Sequence, residues 1–162
     1  MTAPAFLADA AQGWARVYAD HTLIAAGVMF VHLAGLLLGG GAAVAADRAT
    51  LRAARRPEPA RAEHLAFLRT VHGIAIAGLA MLAVSGAAMF LADLETFWTA
   101  TAFWVKMCLV ALLLGNGLLM RLAERRARTR PDDGWRTLKA TATASLLLWL
   151  AIVLVSTILA NG

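Results

Sequence analysis

An all-α fold, a four-helix transmembrane bundle preceded by a short interfacial amphipathic helix, is what this 162-residue sequence predicts, and three observations predict it. Four apolar stretches are each long enough, at about 1.5 Å per helical residue, to cross the roughly 30 Å of hydrocarbon in a bilayer. Hydrophobic residues make up 60% of the chain and mean hydropathy is +0.69, against roughly 45–50% apolar residues in soluble domains. The basic residues behind the net charge of +5 fall almost wholly in two short segments between apolar stretches. That arrangement sets membrane topology and does not call for a nucleic-acid partner. The whole of 1–162 reads as a single transmembrane domain whose first partner is the lipid bilayer.

Residues 3–18 carry Phe6, Leu7, Trp14, Val17 and Tyr18 among Asp9, Gln12 and Arg16, too polar to span but amphipathic as a helix. They predict an interfacial helix with Trp14 and Tyr18 at headgroup level. A basic start followed by an apolar core, the mark of a cleaved signal peptide, is not found here, so the first span is expected to act as its own insertion signal. That span, 21–46, is HTLIAAGVMFVHLAGLLLGGGAAVAA, which holds no charge except one on histidine. Asp47 and Arg48 mark its return to water. A basic loop follows, with Arg48, Arg52, Arg55, Arg56 and Arg61, and with Pro57 and Pro59 breaking any continuous helix.

The second span, 66–92, is followed by the acidic and aromatic connection DLETFWTATAF, and the third occupies 103–122. RLAERRARTRPDDGWRTLK forms a second basic loop before the fourth span, 140–160. With both basic loops on one side, the positive-inside rule places them in the cytoplasm of a bacterial inner membrane and both termini outside. Glycines in the first three spans, among them Gly35, Gly39, Gly40, Gly78 and Gly86, either let helices approach closely or leave room for a flat cofactor.

His32 is the residue that composition alone does not explain. It lies 11 residues below His21, near the midplane, where lipid cannot satisfy its two ring nitrogens. Counting from the same boundary places Met81, Asn116 and Trp149 at the same depth, with Lys106 near the outer surface. Neutral imidazole suits a metal or haem iron, so His32 is the candidate metal ligand, with Met81 as a candidate second ligand. The competing reading is a buried histidine satisfied by Asn116 or a backbone carbonyl. His72 sits about ten residues, roughly 15 Å, from that level and reads as interfacial beside Arg69. His64 and His21 read as solvated. Lys106 either snorkels to water or contacts an anionic group. Cys108 is the sole cysteine and gains no redox role. Hydrolytic and nucleotide chemistry find no motif: H-x-E with C-x-x-C, a Gly-rich phosphate loop and triad spacing are all missing from the sequence.

The order of features resembles a family of small four-span bacterial membrane proteins without an established activity. The resemblance rests on "VHLAGLLLGGG" and "ADRATLR" at the first span, "VSGAAMF" closing the second and "FWVKMCLVALLLGNGLLM" opening the third. The first-span histidine, the glycines after it and the lysine entering the third span look like CopD-type copper-associated membrane domains. More distantly they are similar to HemJ-type protoporphyrinogen oxidases, although Gly39, Gly40 and Gly41 stand where those enzymes carry a basic and aromatic motif. These resemblances imply His32 as a haem b ligand and Lys106 as a propionate or substrate contact. The expected function is therefore a small haem b protein in membrane electron transfer, with quinone or a redox protein as partner. Two other classes stay open: copper or other metal handling through His32 with Met29 or Met81, and a non-catalytic subunit or assembly factor in a homo- or hetero-oligomer.

Overall fold

A computed structural model describes residues 3–58 and 60–161, so the expectation for Pro59 lies outside the described residues. The chain forms α1 (Ala5–Asp20), α2 (Thr22–Gly35), a single π-helical turn (Leu36–Gly40), α3 (Gly41–Ala53), α4 (Ala60–Ala92), α5 (Leu94–Thr99), α6 (Thr101–Thr129) and α7 (Pro131–Asn161). Because α2, the π turn and α3 run on as one rod, four helices are long and apolar enough to cross a membrane: Thr22–Ala53, Ala60–Ala92, Thr101–Thr129 and Pro131–Ala160. The all-α bundle with its short N-terminal helix is the architecture that the hydropathy pattern predicts.

The rods outrun their apolar segments. At 33 residues, α4 is about 50 Å long, well beyond the hydrocarbon thickness. What reads as a second basic loop is therefore mostly helix, rich in Ala, Leu, Arg and Glu, all good helix formers. It is broken at one residue, Arg130 (φ −137°, ψ 82°), which is kept from the α region by Pro131 behind it. Proline suits the first position of α7, where no partner awaits its missing N–H. The projecting ends bury a small core of Leu65, Leu68, Ala123, Ala127, Trp135 and Leu138, and the Arg61 guanidinium lies 5.3 Å from the Trp135 ring centre. We call this the basic end.

The other end is aromatic. Phe90 stacks on Phe103 at 5.0 Å, and Trp98 meets Trp104 edge-on at 5.2 Å, closing the α4–α5–α6 connection. On the same side α1 is tied to α4 by the Trp14 indole N–H, which donates to the Ala88 carbonyl at 2.7 Å.

The α2–α3 rod is the centre of the bundle, with α4 along one side and α7 along another, while α6 pairs with α7. The α2–α4 crossing is made by glycine. A Cβ on Gly39 would stand 3.0 Å from the Gly78 backbone, one on Gly35 would stand 2.9 Å from the Gly78 carbonyl oxygen, and one on Gly78 would collide with Gly39. Gly39 falls in the π turn and Gly35 directly before it, and the turn's one extra residue changes the helical register between His32 and Asp47. By contrast α4 and α6 do not pack along each other, and an opening is left between them.

Candidate functional site

The polar residues expected at one depth separate into two groups. His32 faces α4, where Ser85 Oγ lies 3.0 Å from its Nδ1. The Ser85 hydroxyl has one hydrogen, which it donates to the Met81 carbonyl at 2.6 Å. Ser85 must then accept from His32, so Nδ1 carries the ring proton and Nε2 keeps its lone pair. A second partner that fixes one nitrogen and frees the other is how proteins orient an imidazole ligand. The ring sits over Gly86, where a Cβ would come 3.6 Å from its Cε1. Lys106 is near enough to act on His32 electrostatically. Met81 enters through its backbone oxygen, and its Cβ stands 3.0 Å from where a Cβ on Gly35 would lie.

Asn116 is elsewhere. Its Nδ2 donates to the Thr141 carbonyl at 2.9 Å and ties α6 to α7, and His32 has found Ser85 in its place. Trp149 is buried, with its ring edge 3.1 Å from where a Gly40 Cβ would be. Among the described residues, no three His, Cys, Asp or Glu side chains come together as a metal cluster.

Asn116 and Trp149 line a cavity of about 360 Å³ in the half of the bundle toward the basic end. Its α4 wall includes Val71, His72 and Leu79, and its α6 wall Leu113, Gly117 and Arg121. It lies in the opening between α4 and α6, whose lining residues Ile76, Leu114 and Leu118 are 51%, 51% and 64% exposed on the bundle's outer face. The volume falls in the roughly 300–1,000 Å³ range of small-molecule sites.

Asp47 gives this chamber its chemistry. It is 2% exposed, Ser145 of α7 is its side-chain neighbour, and its Oδ2 has no hydrogen-bond partner. Buried polar atoms are paired in the great majority of cases, and an orphan is costly. One turn farther along α3, Thr50 Oγ1 donates to the Ala46 carbonyl at 2.9 Å and accepts from His64 Nε2 at 2.9 Å. His64 is therefore buried at the α3–α4 contact and not solvated as expected. Counting from the water boundary gave its depth but not its face, which is shared with Leu68. His21 is exposed, with Nδ1 3.1 Å from the Val17 carbonyl.

His72 borders the chamber. Its Nδ1 donates to the Leu68 carbonyl at 2.7 Å, so Nε2 is the atom that faces Glu124 Oε1 at 3.6 Å. Together with Arg121 it also lines a second, open cavity of about 510 Å³ at the basic end, with Arg69, Glu124, Arg125 and Arg128. The chamber and this cationic vestibule thus share His72 and Arg121 in their walls.

No protein family, curated protein or solved structure matches this chain.

Sequence reasoning missed Asp47, Ser145 and Glu124. Asp47 read as a boundary marker, yet it is the sole acid in residues 21–57 and shares a helix face with Ala43 and Thr50, a signal that was there to use. Ser145 in an apolar run and Glu124 among arginines carried no comparable mark.

Proposed function

We propose that this is a small redox protein of the bacterial inner membrane, basic ends cytoplasmic and termini outside, and that its chamber takes a quinone-class molecule from the bilayer. The observation that carries this reading is the unpartnered Oδ2 of Asp47 in the wall of a mainly apolar cavity, which also holds Asn116, Ser145 and Arg121 and lies at the outer face of the bundle. A quinol fits that chemistry. Its hydroxyl donates to the Asp47 carboxylate, its ring lies against the indole of Trp149, and its tail leaves between α4 and α6. His72 borders the same cavity as a second polar group. An oxidised quinone offers acceptors alone, so a carboxylate Asp47 favours the quinol. Hydrogen bonds to a charged group contribute about 1.5–3 kcal/mol, which corresponds to roughly tenfold or more in affinity. Titration of the purified protein with decylubiquinol and decylubiquinone, read by tryptophan quenching, tests this: wild type prefers the quinol and Asp47→Asn loses the preference. Equal affinities in the wild type would refute it.

Haem b is the electron-carrying group that the second reading adds, and the state of His32 supports it. With Nδ1 held by Ser85, the free Nε2 is the atom that would ligate iron, and Lys106 is the cation available to a propionate. Neither cavity described above is lined by His32, Met81 or Lys106, so the macrocycle requires α2 and α4 to part beside Gly86. An absorption spectrum before and after dithionite, with His32→Ala alongside, decides it. A haem-supplemented sample without a Soret band removes this reading and leaves the quinone site standing.

A further inference from the structure

We propose that the vestibule at the basic end is a binding site for the phosphate of an anionic phospholipid, whose acyl chains lie along the exposed faces of α4 and α6. Four exposed arginines, Arg69 from α4 and Arg121, Arg125 and Arg128 from α6, line one open cavity of about 510 Å³. Glu124 is the one acid that lines it, facing His72 at 3.6 Å and lying close to Arg128 and Arg121, one negative charge against four positive ones. The cluster therefore keeps a surplus of positive charge concentrated in a concave surface, and a guanidinium matches phosphate oxygens with two parallel donors.

One donor is fixed. Arg128 Nη2 bonds the Leu65 carbonyl of α4 at 3.1 Å and holds the two helices at a set distance. Beyond this tie α4 and α6 do not pack along each other, and Ile74, Ile76, Leu118 and Leu122 are between 47% and 64% exposed. A cationic pocket continuous with an apolar furrow at the edge of the hydrocarbon matches a phospholipid in both charge and polarity, and basic pockets between transmembrane helices are known to take such headgroups. A free phosphate would use the arginines and leave the furrow unused. The furrow shares Ile76 and Leu118 with the mouth of the chamber, while the cluster of arginines that selects the headgroup stands apart from Asp47.

Thermal melting of the detergent-purified full chain tests it, with phosphatidylglycerol, phosphatidylcholine or inorganic phosphate added. Arg69→Gln/Arg125→Gln removes two exposed vestibule arginines without touching the chamber or the Arg128 tie. Arg55→Gln/Arg56→Gln, on the other basic segment, controls for general charge. The expected result is a melting temperature raised several degrees by phosphatidylglycerol and not by phosphatidylcholine, a shift more than halved in the vestibule variant and kept in the control. Native mass spectrometry should show a phosphatidylglycerol adduct on wild type and control but not on the vestibule variant. Equal shifts from both lipids, equal losses in both variants, or a shift reproduced by inorganic phosphate alone would each overturn the assignment.

Discussion

The two halves of the bundle use the same helices in opposite ways. Toward the aromatic end, α2 and α4 meet backbone to backbone at Gly35, Gly39 and Gly78, and polar groups there bond one another, His32 Nδ1 to Ser85, Ser85 to Met81 and Trp14 to Ala88, with His32 Nε2 left over. Toward the basic end α4 and α6 stand apart along the chamber, and the gap holds an acid with an unpartnered oxygen. Close packing at the glycine crossing leaves little room for a ligand. Where packing is withheld and a polar atom is left without a mate, the fold accepts a stability cost that a bound molecule can offset.

The contrast breaks most violently at the glycine crossing. Gly78→Leu places a side chain where the Gly39 backbone lies, and in a core with no room to give, overpacking costs about 1–3 kcal/mol or more. The expected outcome is loss of the monodisperse peak in detergent chromatography, whereas Gly117→Leu, with no atom within 4 Å of its Cβ position, should purify normally. A crossing that tolerates Leu at position 78 would show that the two halves are not divided by packing.

Next in size is the acid. Asp47→Leu replaces a buried carboxyl that has one oxygen unpartnered with apolar volume beside a cavity, and should raise the melting temperature by several degrees while abolishing quinol binding. A fall in melting temperature would mean that Asp47 is structural. Thr50→Val sharpens the comparison from the other side. It leaves His64 Nε2 without its buried acceptor, at a cost of about 1–3 kcal/mol, measurable as a lower melting temperature with quinol affinity unchanged.

Ser85→Ala is a smaller effect, about 1 kcal/mol for one hydrogen bond. Its more telling readout is the His32 ring itself: Nδ1 loses its acceptor, so the tautomer preference seen by ¹⁵N NMR should relax. His21→Ala, at an exposed boundary position, should change stability by less than about 0.5 kcal/mol.

How much of this was legible in the sequence follows the same division. Hydropathy is a property of long runs, so the four long apolar helices and the short N-terminal helix could be read directly. Helix ends could not, because Arg and Ala continue a helix into water as readily as they form a loop, and that is why the second basic loop is helix on both sides of Arg130. Azimuth was not readable: counting assigned His32, Met81, Asn116 and Trp149 to one level, but alanines and glycines all round the helices hide which way each side chain turns. The structure puts His32 against α4 and Asn116 against α7. His64 was misplaced for the same reason. The chamber escaped because its existence depends on a negative, helices α4 and α6 not packing along each other beyond their contacts at the basic end, which no single segment encodes.

The affinity of decylubiquinol for the protein in nanodiscs, measured for wild type and Asp47→Asn, is the most direct test that the chamber is a ligand site organised by its orphaned oxygen. Saturable binding in the wild type, weaker by about tenfold or more in Asp47→Asn at an unchanged melting temperature, is the expected result. Identical affinity in the two proteins would contradict the account.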